Sequence, residues 1–152
     1  MRNILLDTCV IIHIIRQSST GKNCIVTLKT FDENANLIVS VVTKGELESF
    51  AKQRKWGQSK LEKLNLILNQ VTYIDIENAD KVLIDAYADI DAFSKRKIAD
   101  KNENLLIGAA RKMGKNDLWI AATAMALDIT VVTTDGDFDH LNGTMLNVMK
   151  VV

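Results

Sequence analysis

Apolar residues fall along this chain in short β-branched runs, separated by longer stretches with helical spacing. Asn3-Ile-Leu-Leu, Asn36-Leu-Ile-Val-Ser-Val, Val71-Thr-Tyr-Ile, Ile129-Thr-Val-Val-Thr and Leu146-Asn-Val-Met-Lys-Val predict five short strands. Helices are predicted over Cys9 to Arg16, over Lys22 to Asn34 after a polar loop from Gln17 to Gly21, and from Thr43 toward Trp56. Thr43-Lys-Gly-Glu46 has the form of a capping box for the last of these. Further helices are predicted over Gln58 to Leu68 and Asn78 to Lys97, the latter with an apolar face at Val82, Ala86, Ile90 and Phe93. The charged stretch from Lys95 to Asn104 reads as a flexible loop. A final helix begins near Asp117, where Asn116 and Asp117 are N-cap candidates before Leu118, Ile120, Ala121, Ala124 and Leu127. Strands alternating with helices predict an α/β domain with a parallel, doubly wound sheet.

On that scheme the acids converge. Asp7 follows the first strand, Glu46 follows the second by a few residues, Asp117 opens a helix, and Asp135 follows the next strand. The carboxyl ends of parallel strands and the amino ends of helices share one edge of the sheet, the usual ligand edge. Each acid also has an ordinary explanation. Asp7 and Asp117 serve as helix caps, Glu46 completes a capping box with Thr43, and Asp135 favours the turn before Gly136. Four independent caps have no reason to share one edge, whereas crowded carboxylates repel and lose solvation unless a cation sits between them. An oxygen-only set suits Mg²⁺ or Mn²⁺.

Other motifs fail on spacing. Gly108 to Lys115 has one residue too many between its glycines for a phosphate-binding loop, and Asn116 stands where Ser or Thr is needed. Asp135, Asp137 and Asp139 open like a calcium loop, but His140 replaces the required glycine and Leu146 the final glutamate. Cys9 and His13 stand at helical spacing without a second close pair, so zinc is disfavoured and Cys9 is read as core. Trp119 and Phe138 are read as packing residues. Lys44, Arg111, Lys112 and Lys115 lie in sequence beside the acids and are candidates for holding substrate phosphates. No nucleophile–histidine pair is evident, which suits water as an attacking group.

Composition narrows the picture further. The chain has 152 residues, enough for one domain with a full core, read as residues 1–152. Its formal net charge of zero gives no global field for a nucleic acid, so such a partner needs a local patch. Two cysteines make no disulfide framework and suit the cytoplasm. The apolar start is interrupted by Asp7, Thr8 and His13, so neither a signal peptide nor a membrane span is expected.

Four segments carry a resemblance: Leu5-Leu-Asp-Thr8, Ser40-Val-Val-Thr-Lys-Gly-Glu-Leu47, Asn116-Asp-Leu-Trp-Ile-Ala-Ala-Thr-Ala124 and Val132-Thr-Thr-Asp-Gly-Asp-Phe138. In this order they resemble the PIN domain, and within it the VapC-type toxins of toxin–antitoxin pairs. The resemblance implies a single domain with a five-stranded parallel sheet flanked by helices. It implies a Mg²⁺- or Mn²⁺-dependent endoribonuclease acting on RNA such as tRNA and leaving 5′-phosphate and 3′-hydroxyl ends. The implied metal and catalytic residues are Asp7, Glu46, Asp117 and Asp135, with Thr8, Asn116 and Thr133 in support. Asp137 or Asp139 could share or replace the role of Asp135. An antitoxin that blocks the site and a homodimer are the expected protein partners. The alternatives kept open are a phosphatase of the haloacid-dehalogenase type, using Asp135-Gly-Asp137, a non-catalytic RNA-binding module on a PIN-like scaffold, and a pure interaction domain that binds neither RNA nor metal.

Overall fold

The computed structural model describes residues 2–75 and 81–152. Five strands form one parallel sheet: β1 (Asn3–Leu6), β2 (Asn36–Ser40), β3 (Thr72–Ile74), β4 (Thr130–Thr133) and β5 (Val148–Lys150), in the order β3-β2-β1-β4-β5. Helices α1 (Thr8–Arg16), α2 (Ser19–Asp32), α3 (Val41–Gln53), α4 (Gln58–Gln70), α5 (Lys81–Ser94) and α6 (Lys115–Leu127) flank it, and a 3-10 helix spans Gly136–Leu141. The five strands and the α/β class agree with the sequence expectation.

Alternation along the strands divides the core between two faces. Leu5, Ile38 and Val131 join one apolar cluster with Leu83, Ala86, Ile90 and Phe93 of α5 and Leu118, Ile120 and Ala121 of α6. Ile4, Leu6, Val39 and Val132 join the other, with Val10, Ile11 and Ile15 of α1, Leu47 of α3 and Leu64 of α4. Because both faces are covered, the central strands are apolar at nearly every position, as a parallel sheet requires. The helices that follow β1 and β2 cover one face, and those that follow β3 cover the other. The winding therefore reverses between β1 and β4, and their carboxyl ends open onto a switch-point crevice.

Several local expectations are corrected. α3 starts at Val41 with Ser40 as N-cap, its hydroxyl accepting from the backbone N–H of Val42, so Thr43 and Glu46 form no capping box. α6 starts at Lys115 with Gly114 as N-cap, so Asn116 and Asp117 lie within its first turn and neither is the cap. α2 starts at Ser19 rather than Lys22, which takes Gly21 out of the expected loop and into a helix. A Cβ at Gly21 would stand 2.1 Å from the carbonyl oxygen of His13, so glycine is what lets α2 abut the end of α1. On α5 the core face holds Leu83 in place of Val82, which is 63% exposed. The expected start of that helix at Asn78 lies outside the described residues. Between Lys95 and Asn104 the backbone is tied by Asp100, whose carboxylate accepts from the N–H groups of Asn102 and Asn104. Among the described residues no helix is long and apolar enough to cross a membrane.

Candidate metal centre

β1 ends at Leu6 and delivers Asp7 into the switch-point crevice, where it is almost fully buried. Asp7 Oδ1 accepts from the backbone N–H of Thr8 at 2.7 Å, which caps α1. Its Oδ2 accepts from Thr133 Oγ1 at 2.7 Å and from Cys9 Sγ at 3.0 Å. Capping is therefore one part of what Asp7 does, since half of its carboxylate is held by groups from elsewhere. Burial pushes the Asp7 carboxyl up from the usual range, against the pull of these three donors, and the Asp135 charge adds to the rise.

Thr133 ends β4 and joins the two central strands through its side chain. Its hydroxyl donates to Asp7 and accepts from the backbone N–H of Asp135 at 2.9 Å. Asp135 in turn caps the 3-10 helix, accepting from the N–H of Asp137 at 2.9 Å. This turn brings Asp137 round beside Asp135. Carboxylate oxygens of Asp117, Asp135 and Asp137 lie within 4.8 Å of one another. Asp139 is directed elsewhere, pairing with Lys150 at 2.9 Å. The geometry thus brings Asp137, rather than Asp139, to the side of Asp135.

Glu46 reaches the same crevice from α3. Thr8 Oγ1 donates to Glu46 Oε1 at 2.9 Å and stands 3.1 Å from Thr43 Oγ1. Asp117 completes the set from α6, partly buried and in the helix's first turn. Its carboxyl is pushed up to about 7, first by burial and then by the charges of Asp7, Asp135, Glu46 and Asp137. Among the described residues none of these five acids has a basic partner within ion-pair distance. An oxygen-only cluster with mutual repulsion and no internal counter-ion fits a hard divalent cation.

The remaining sequence candidates sit at different places. Asn116 is exposed and lines a groove beside Thr8 and Glu46. Lys115 is exposed at the start of α6 and Lys112 in the segment just before it, whereas Lys44 lies over the Tyr73 ring at 5.1 Å. Arg111 lines a separate cavity with His140. Cys9, read from the sequence as core, instead carries its thiol to Asp7 and Thr133. Burial and the neighbouring Asp7 charge push that thiol up to about 11. His13 binds Ser18 and Cys24 is fully buried, so no thiol–imidazole zinc set forms from them.

A serine–histidine pair does exist, contrary to expectation: Ser94 Oγ stands 2.7 Å from His140 Nε2. It has no signal in the sequence because 46 residues separate the partners. Both are buried, and His140 Nδ1 has no hydrogen-bond partner to orient the ring as a base. The pair reads as a structural contact in the α5 face, where the Phe93 ring is stacked on His140.

A parallel five-stranded α/β sheet with acids gathered at its switch point defines the class of the protein. The sequence model of the PIN domain matches residues 4–143, and the chain belongs to that family. No curated protein matches the chain. Among solved structures it is similar to VapBC2 from Rickettsia felis bound to a promoter DNA fragment, with a TM-score of 0.75, 19% identity and 99% of each chain covered. VapBC-1 from nontypeable Haemophilus influenzae gives a TM-score of 0.69 and 20% identity over 97% of each chain. VapBC-5 from Mycobacterium tuberculosis, a member of the VapBC family of toxin–antitoxin systems, gives 0.63 and 21% identity over 99% of this chain and 100% of that one.

Proposed function

We propose that this chain, read as one domain over residues 1–152, is a Mg²⁺- or Mn²⁺-dependent endoribonuclease. We propose further that it is the toxin of a toxin–antitoxin pair. The observation that carries the chemistry is the convergence of Asp117, Asp135 and Asp137 within 4.8 Å, beside Asp7 and Glu46, with no basic partner for any of them among the described residues. PIN family membership and the likeness to VapBC structures support the biological setting. In that setting the chain pairs with itself as a homodimer and with an antitoxin that covers the acids, in the cytoplasm.

A bound divalent ion supplies charge neutralisation at the scissile phosphate and acidifies the attacking water. Asp7, Glu46, Asp117 and Asp135 would hold it, with Asp137 as a further ligand. Thr133 and Cys9 fix the Asp7 carboxylate, and Thr8 fixes that of Glu46, so both are oriented before anything binds. Water adds to phosphorus and the 3′-oxygen leaves, giving 5′-phosphate and 3′-hydroxyl ends on RNA such as tRNA. A phosphatase using Asp135 as nucleophile is less well supported, because the lysine that reaches this loop, Lys150, binds Asp139.

Incubation of the purified protein with labelled RNA tests the reading. Cleavage is expected in Mg²⁺ or Mn²⁺, absent in EDTA and poor in Ca²⁺, whose looser geometry misplaces the attacking water. Asp7→Ala should abolish cleavage in a folded protein and relieve growth arrest when the chain is expressed alone. Full cleavage in EDTA, or by folded Asp7→Ala, would remove the metal mechanism. Binding of RNA without cleavage under any of these ions would return the chain to a non-catalytic RNA-binding module.

A further inference from the structure

Two columns of side chains lead away from the acids along neighbouring helices. On α1, Thr8, Ile12 and Arg16 stand four residues apart; on α3 and its C-cap, Glu46, Phe50 and Arg54 do the same. Four-residue spacing stacks side chains on one helical face. The upper members, Thr8, Ile12, Glu46 and Phe50, wall an open groove of about 550 Å³, with Gln53 and Asn116 adding amide groups. At the far end the guanidinium carbons of Arg16 and Arg54 lie 5.1 and 5.4 Å from the Phe50 ring centroid. Trp56 meets the same ring edge-on at 5.6 Å. Neither arginine has an ion-pair partner among the described residues. Eight residues of helix put this basic end roughly 12 Å from the acidic one.

We propose that this groove binds the single-stranded RNA segment adjoining the scissile phosphate, with Arg16 and Arg54, both held over the Phe50 ring, as the phosphate contacts. The proposal rests on the ribonuclease reading above. A guanidinium lying over a ring is held in place and keeps its N–H edge free for phosphate, and its outer plane can stack with an unstacked base. The charge arrangement favours a polyanion. Acids at one end repel a phosphate until a cation intervenes, whereas two uncompensated arginines at the other end attract the next stretch of backbone. In a chain of zero net charge, such a local pair is what a nucleic acid can hold. Of the cations that the sequence suggested for this role, Lys44 lies over Tyr73 and Arg111 faces another cavity.

The test measures binding of a fluorescein-labelled single-stranded oligoribonucleotide across a KCl series in Ca²⁺, together with cleavage kinetics in Mg²⁺. Wild type, Arg16→Gln/Arg54→Gln and Phe50→Leu are compared, each checked by thermal melting. Loss of two phosphate contacts should make the slope of log affinity against log salt shallower by about 1.4, at about 0.7 per contact on single strands. Phe50→Leu removes the ring that holds both guanidiniums but keeps both charges, so it should weaken binding less than the double arginine change and leave that slope unaltered. KM should rise in both variants, with kcat nearly unchanged. Should Phe50→Leu fail to fold, the arginine pair alone decides the matter. An active enzyme whose variants keep the wild-type slope and KM would overturn the groove and leave the ribonuclease reading standing. An unchanged slope with loss of binding to the protein encoded by the adjacent reading frame would likewise overturn it, giving the groove to a protein partner. Wild-type protein that neither binds nor cleaves RNA would overturn both.

Discussion

Thr133 Oγ1 donates a 2.7 Å hydrogen bond to Asp7 Oδ2, joining the carboxyl ends of β1 and β4 at the point where the sheet reverses its winding. The same oxygen accepts from the Asp135 backbone at 2.9 Å, so a single hydroxyl sets the relation between two acids of the site.

Replacing that hydroxyl is therefore expected to cost both stability and function. Thr133→Val keeps the shape but leaves a buried carboxylate oxygen short of a donor, a loss of about 1.5–3 kcal/mol in chemical denaturation. Mg²⁺ affinity or cleavage should fall by about 10–100-fold, as when a metal ligand loses its orienting partner. Thr133→Ser keeps the donor and should recover most of both. A valine variant with wild-type affinity and cleavage would show that Asp7 needs no such support.

The raised carboxyl of Asp117 gives the metal-free protein a definite pH dependence. An acid whose folded pKa exceeds its unfolded one stabilises the fold below the unfolded value, and that contribution is lost as pH rises through the folded value. For Asp117 the window runs from the usual 3.8 up to about 7, and Asp7 shifts in the same direction. In EDTA, the melting temperature of Asp117→Asn minus that of wild type should grow across this window. Metal must displace the retained proton, so Mg²⁺ affinity should climb as pH approaches neutrality. A difference that stays flat with pH would mean that Asp117 is not held in its neutral form.

Much of this arrangement was legible in the sequence. Five short apolar runs marked the strands, and the positions of Asp7 and Asp135 after strands and of Glu46 and Asp117 near helix starts placed the acids on one edge. Helix starts were less legible, because Ser40 and Gly114 cap where Thr43 and Asn116–Asp117 are also favoured capping types. Choosing Asp137 over Asp139 depended on the 3-10 turn and on Lys150, which the local sequence does not specify. Cys9, the Ser94–His140 pair and the Arg16–Phe50–Arg54 group depend on contacts between distant elements, for which periodicity carries no signal.

Gly21 is a packing requirement that its position in a polar stretch concealed. A Cβ there would meet the His13 carbonyl oxygen at 2.1 Å and its carbon at 2.5 Å, both backbone atoms that cannot swing aside. Although alanine is the better helix former, Gly21→Ala should lower unfolding stability by about 1–3 kcal/mol, as overpacking does. A stability gain in urea denaturation would contradict the close approach of α1 and α2.

The central claim is that these acids are arranged to hold a divalent cation, and Asp117→Asn tests it most directly. Asp117 lies in the first turn of α6 and is not its cap, so the substitution removes charge without removing a capping bond. Thermal melting with and without Mg²⁺ is the measurement, made beside an RNA-cleavage assay on the same preparation. In wild type, Mg²⁺ should raise the melting temperature, since a ligand that binds only the folded state stabilises it. Without metal, Asp117→Asn should melt at the same temperature or higher, because one repelling charge has gone. Its Mg²⁺ response should vanish and its cleavage should drop by orders of magnitude. A variant that melts slightly lower, by the roughly 0.3–1 kcal/mol expected from a lost charge at a helix start, yet still responds to Mg²⁺ and cleaves RNA, would contradict the account.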